Sequence, residues 1–431
     1  MVIRLKKPKQ SEVLIGLLLW VPFLAPLFME VLGLPRAILY VCDIAWLCLC
    51  VLLFMQRRPI NTHLMKMIVW VAVFLLYTLV VYIVQYQSVL YYLWGIRNNF
   101  RFYAAFFAVA YFWKMEHVAR FYKFLDGVYW INFLVALVQY CVLGIEGDYL
   151  GGIFGTQPSV NGYSVLLFTI VLTKSIVSFL ENREPGWKCG AKFLIATVLS
   201  SLAELKFFYV ILLVLVAMAL AFTEFSWRKL ILVFGTGLCI AVGTVGLAVL
   251  YEGDSEWFTL EWLYSVVADD RGYTSSGDLN RLNAFSRINE IWHSGLAGRL
   301  FGMGLGNCDT ATMAAMNTPF FEKYGYMHYS WMSHAIMYLE CGWMGVVFLF
   351  GFFALVFFEV RKIEKLCNAP NTTYCRISKI MAVVCMFVLI YNSSLRTEAA
   401  YMVYLTLAIP FAYRNQEKFV EKPTERVLVY E

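Results

Sequence analysis

Seven side chains have the types and spacing to do chemistry: Arg97, Arg101, Lys206, Arg281, Arg287, His328 and His334. An arginine offers a planar fork that matches phosphate oxygens in charge and geometry, and a lysine offers a point charge. A neutral imidazole accepts a proton from an attacking hydroxyl. Together they suit a reaction in which a hydroxyl attacks and a diphosphate departs. Each also has a plainer use. Arginines anchor helices at an interface, Glu204 neutralises Lys206 across one turn, and a histidine can simply bond inside a helix bundle. His328 and His334 lie six residues apart, about 240° of helical rotation, so on one regular helix they face apart and one of them is the base.

Other chemistries find little support. Eleven cysteines fall mostly in apolar runs, where they act as small hydrophobes. No CxxC or Cys/His spacing suggests a metal, and no paired Asp or Glu reads as a nucleophile. Asp254, Glu256, Glu261, Asp269, Asp270 and Asp278 either bind sugar hydroxyls or are solvated loop charges, and the second use is favoured. The segment FGMGLGN at 301–307 has neither the preceding strand nor the βαβ unit of a dinucleotide site. Its glycines are expected to let the backbone turn tightly or approach a ligand.

The elements that position these groups follow from composition. Hydrophobic residues make up 61% of the 431 and charged residues 15%, against about a quarter charged in soluble domains. Apolar runs long enough to cross a bilayer recur from residue 13 to 413 without a compositional break. The chain therefore reads as all-α, one polytopic membrane domain over 1–431 with about twelve spans: 13–33, 37–55, 67–86, 102–113, 125–144, 161–180, 193–205, 207–223, 231–250, 331–360, 380–395 and 400–413. Arg97 and Arg101 stand just ahead of the fourth. Asp43 and Lys174 are the main charges inside spans. Most of the 35 Lys and Arg collect on one side, which places both termini in the cytoplasm. The net charge of +6 reflects that anchoring and no nucleic-acid binding.

On the outer side only residues 251–327 form a long loop, rich in aromatics such as Trp257, Phe258, Trp262, Tyr264 and Tyr273, and so expected to fold. Within it Asn280 to Leu300 reads as an amphipathic helix with Leu282, Phe285, Ile288 and Trp292 on one face.

The order of Arg281 to Trp292, FGMGLGN, histidine, Glu340 and GWMG at 342–345 resembles the O-antigen ligase and polysaccharide polymerase superfamily. LWGIRNNFRFY at 93–103, GGIFGTQPSVNGYS at 151–164 and AELKFF at 203–208 resemble its capsule and exopolysaccharide polymerase branch. The resemblance runs from about residue 91 to 400. It implies a GT-C-like, metal-independent and cofactor-free membrane glycosyltransferase in the bacterial cytoplasmic (inner) membrane. Its substrate would be an undecaprenyl-pyrophosphate-linked oligosaccharide, and its partners the bilayer, a chain-length regulator and a flippase. Arg97, Arg101, Lys206, Arg281 and Arg287 then become pyrophosphate ligands, and His328 or His334 the base. The ligase spacing back from Gly342 would put histidine at Trp331, three residues from either. Lys206 stands where many relatives have arginine. O-antigen ligase and lipid-linked oligosaccharide flippase are the alternatives.

Overall fold

The computed structural model describes residues 9–56, 60–157, 160–251, 278–311, 317–367 and 371–420, with 415–420 by backbone alone. All regular elements among them are helical, as expected of runs this apolar, whose backbone groups must bond within the segment. In chain order come α1 (Gln10–Glu30), α2 (Tyr40–Phe54), α3 (Thr62–Val84), α4 (Val89–Phe112), α5 (Met115–Cys141), α6 (Asn161–Leu180), α7 (Gly186–Leu202), α8 (Lys206–Phe222) and α9 (Trp227–Leu250). Three short helices follow: α10 (Ala284–Ile291), α11 (Leu296–Phe301) and α12 (Pro319–Tyr324). The long α13 (Ser333–Glu364), α14 (Asn371–Tyr391) and α15 (Ala400–Val420) complete the bundle.

Each of the twelve expected spans has a helix of its own. Eight are long and apolar enough to cross a membrane: α1, α2 with the turn before it, α3, α5, α6, α9, α13 and α14. The outward faces of α2, α3 and α9 stay apolar, with Ile44, Leu76 and Phe234 exposed, which is the surface a multi-pass membrane protein presents to lipid. Helices α6, α14 and α15 form the buried centre, and α13 packs along α14.

Two expectations change. The fourth span begins at Val89, not 102, so Arg97 and Arg101 lie inside α4. Their charge lowers the local hydropathy without stopping the helix, because carboxylates of other elements neutralise them there. The amphipathic helix expected over 280–300 is two pieces, α10 and α11, separated by the Trp292–Gly295 turn. Ile288 is buried and Phe285 packs on Tyr338 and Trp343, but Leu282 is 61% exposed because it precedes the helix and does not share its face. Trp257, Phe258, Trp262, Tyr264 and Tyr273, with Asp254, Glu256, Glu261, Asp269 and Asp270, lie outside the described residues.

The glycine-rich segment turns out to be a packing device. Helix α13 leaves helical geometry at Gly342 (φ 58°, ψ −162°), which strips carbonyls of their partners in the helix. The segment supplies replacements: Met303 N–H donates to Leu339 O (3.0 Å) and Gly304 N–H to Glu340 O (2.7 Å), while the Tyr77 hydroxyl donates to Cys341 O (2.7 Å). The turn between α3 and α4 grips the same segment through Gln85 to Gly302 O (3.1 Å) and Gln87 to Leu305 O (2.7 Å). Gly302, Gly304 and Gly306 all have left-handed φ, and a Cβ on Gly306 would overlap the Tyr91 carbonyl oxygen.

Gly306→Ala is therefore expected to lower stability by about 3 kcal/mol, from left-handed strain and overpacking together. Thermal unfolding of the purified protein in detergent checks this, and an unchanged Tm contradicts it.

Candidate functional site

Two groups of polar side chains gather at the end of the bundle that carries residues 278–311 and 317–327, called here the loop end. The first follows from helix periodicity. Arg97 and Arg101 are four residues apart, so they share one face of α4, and that helix packs against α2 and α15. Arg97 forks onto Asp43 of α2, with Nε to Oδ1 at 3.0 Å and Nη2 to Oδ2 at 2.9 Å. Arg101, only 1% exposed, donates from Nη1 to Glu398 Oε1 (2.8 Å) and from Nη2 to Arg396 O (3.0 Å). Arg396 in turn reaches Asp309 Oδ2 (2.6 Å), which also accepts from Asn98 Nδ2 (2.7 Å). Longer contacts join the pairs, Arg97 to Glu398 at 3.7 Å and Arg101 to Asp43 at 3.9 Å.

Three guanidinium groups thus meet three carboxylates and their charges cancel. A diphosphate could engage Arg97 or Arg101 only by displacing Asp43 or Glu398. Burial pushes the Glu398 carboxyl up, but the Arg101 and Arg97 charges outweigh it and hold the pKa below its ordinary 4.5. Beside this lattice Glu340, also buried, accepts from Cys308 N–H (3.1 Å).

The second group surrounds Tyr391, the last residue of α14. Lys206 opens α8 and pairs with Glu204 (3.2 Å). The next residue, Phe207, stacks on the Tyr391 ring with centroids 3.7 Å apart and planes 8° from parallel. The Arg281 guanidinium stands 4.5 Å from the centroid of the same ring, and its Nε donates to Tyr391 O (3.0 Å). His334 is 2% exposed, with Nε2 2.9 Å from Arg281 O and Nδ1 3.2 Å from Leu389 O. Both ring nitrogens face carbonyl oxygens, so neither presents a lone pair to a substrate in this arrangement. What His334 does is tie the Arg281 backbone to α14.

His328 differs. It sits in a left-handed turn (φ 56°) ahead of α13, half-buried, and stacks on Trp331 with centroids 3.8 Å apart. Its ring nitrogens make no hydrogen bond among the described residues. Since α13 starts at Ser333, the two histidines do not share a regular helix and the rotation between them carries no information. The Leu279 N–H to Met327 O bond (3.0 Å) places the strand of chain before Arg281 beside His328.

The structure thus brings Arg281 and His334 together at the end of α14, with Phe207, the neighbour of Lys206, stacked on the Tyr391 ring and His328 on the adjoining segment. Arg97 and Arg101 belong to the neutral lattice. Arg287 pairs with Glu290 of its own helix (3.1 Å) and bonds to neither group. Sequence reasoning missed Glu398, Asp309 and Tyr391, whose only signal was their place near other outer polar residues. It also passed over His293, which is buried against Tyr338 O (3.3 Å) and whose pKa burial pushes below the ordinary histidine value. Among the described residues no three His, Cys, Asp or Glu are grouped to hold a metal ion. No protein-family model matches the chain, and no curated protein matches it.

Arg101→Ala leaves Glu398 buried without its main partner and is expected to cost about 3–5 kcal/mol, part of which Arg101→Ala/Glu398→Ala recovers. Denaturant or thermal unfolding of both variants reads this, and equal losses would contradict the pairing. Because the Glu398 pKa is lowered, its contribution is complete above the unfolded carboxylate value and is lost as pH falls through the folded one. Stability should therefore drop below about pH 4.5, by less in Glu398→Gln than in the wild type.

Proposed function

We propose that the chain is a membrane glycosyltransferase of the polymerase kind it resembles, joining oligosaccharide units carried on undecaprenyl pyrophosphate at the outer face of the bacterial cytoplasmic membrane. The observation that carries this reading is the meeting of Arg281 and His334 at Tyr391 at the loop end, on whose ring Phe207, the residue after Lys206, also stacks. A guanidinium over an aromatic platform, with Lys206 next in sequence to the ring stacked on it, suits a leaving diphosphate, and stabilising that developing charge from fixed positions is the larger share of such catalysis. In this mechanism the acceptor hydroxyl attacks the anomeric carbon and the bond to the pyrophosphate oxygen breaks. Lys206 and Arg281 take up the charge on the leaving group. His328, whose ring nitrogens make no hydrogen bond among the described residues, accepts the hydroxyl proton. His334 acts as a positioning residue through Arg281. Arg97 and Arg101 hold α4, α2 and the residue 396–398 connection in register.

A second reading, an ion-coupled flippase for the same lipid-linked units, is favoured by the broken helix at Gly342 and the buried paired charges of α2 and α4, features common at transporter sites.

The purified protein given lipid-linked repeat units is expected to produce a ladder of longer chains. Lys206→Ala and Arg281→Ala should each lower the rate by about 10²–10³, and His328→Ala by about 10²–10⁴. A ladder unaffected by all three variants removes the site assignment. Movement of units across vesicles without any ladder favours the flippase, and transfer to a lipid A core favours the ligase.

A further inference from the structure

The far end of the bundle holds a cavity of about 280 Å³ between α5, α6 and α14, whose lining includes Tyr122, Lys123, Asp126, Lys174, Arg183 and Thr373. Tyr374 also lines it, and Tyr391 of the loop-end group is seventeen residues further along α14, roughly 25 Å away at 1.5 Å per residue. The cavity is therefore separate from the site described above.

Its surroundings are over-supplied with positive charge. Lys174 Nζ pairs with Asp126 (2.7 Å), and Lys192 shares Asp126 and Glu184 at 3.0 Å each. Arg376 pairs with Glu181 (2.7 Å) and Glu364 (3.3 Å), Arg183 with Glu181 (3.4 Å), and Lys379 with Glu364. Lys123 has no ion pair among the described residues. Among the described residues six cations thus face four carboxylates, and three of the six, the exposed Lys123 and Arg183 and the half-buried Lys174, line the cavity. A second observation points the same way. Tyr122 is 5% exposed and its hydroxyl has no hydrogen-bond partner among the described residues, a costly state for a buried donor unless something at the site accepts from it.

We propose that this cavity binds a phosphate group of net negative charge, carried on an acidic lipid headgroup or free in solution. Lys123, Lys174 and Arg183 supply the counter-charge and Tyr122 donates a hydrogen bond to a phosphate oxygen. Phosphate suits the site better than a carboxylate ligand because its several oxygens can meet three cations and a hydroxyl at once. Asp126, held by Lys174 and Lys192, keeps Lys174 at the cavity wall.

The test uses the full chain in phosphatidylcholine nanodiscs. One arm titrates inorganic phosphate and pyrophosphate, and the other adds phosphatidylglycerol and counts retained lipids by native mass spectrometry. Saturable binding near one per chain is expected in at least one arm, and the arm that responds identifies the source. Lys123→Gln/Arg183→Gln should weaken it about tenfold. Tyr122→Phe, which removes one oxygen and keeps the packing, should weaken it about threefold with little change in Tm. Absence of saturable binding in both arms, or affinity unchanged by both variants, overturns the proposal. Retention of phosphatidylcholine equal to phosphatidylglycerol overturns it for lipid.

Discussion

A charge withdrawn from water must find an opposite charge already in place, and that requirement organises the loop end. Arg101 sits almost fully enclosed in the middle of α4, where an isolated guanidinium would be prohibitive. Glu398 removes the difficulty, and it can do so only if the connection between α14 and α15 lies across α4. The same connection sends Arg396 to Asp309 and so draws in the segment after the glycines. One buried pair thereby fixes the mutual placement of α2, α4, α15 and the 302–311 segment. A buried pair of this kind need add little net stability, and its structural consequence here is that it ties the connection to α4.

The connection has a second set of contacts that serve the candidate site directly. Tyr391 begins it, with Arg281 over its ring and on its carbonyl. Asn392 O accepts from both the backbone N–H (3.3 Å) and hydroxyl (3.0 Å) of Ser333, so the start of α13 is tied to the end of α14. The break at Gly342 belongs to the same design. By opening the helix it frees carbonyls that the glycine segment then binds, and the segment can come that close only because its glycines have no side chains. Site geometry is held by backbone and by paired charge, with few contacts left to chance.

The helices were legible because each must supply its own apolar run; the twelve stretches expected from hydropathy all have counterparts. Where the reading erred, the reason is local to long-range pairing. Arg97 and Arg101 looked like residues excluded from a span because nothing in the sequence near them shows Asp43, 54 positions away, or Glu398, 297 positions beyond Arg101. The glycine spacing announced a tight backbone but not what it approaches. Lys206, Arg281 and His334 were each visible as cations or bases on one side. The meeting of Arg281 and His334 at the end of α14 was not, since it depends on Tyr391, an aromatic residue among 27 tyrosines with no distinguishing pattern around it. Leu282 illustrates the limit of periodicity, which assigns faces only inside the helix that actually forms.

The central proposal is that Arg281 at Tyr391 and Lys206 on the adjoining helix grip a diphosphate. A structure of the protein with undecaprenyl pyrophosphate bound tests it most directly, for instance by electron cryomicroscopy in nanodiscs. The account predicts diphosphate density within hydrogen-bond distance of Lys206 Nζ and the Arg281 guanidinium, with the Arg101–Glu398 pair intact. Diphosphate seated between Arg97 and Arg101 with Glu398 displaced, or absent from the loop end altogether, would contradict it.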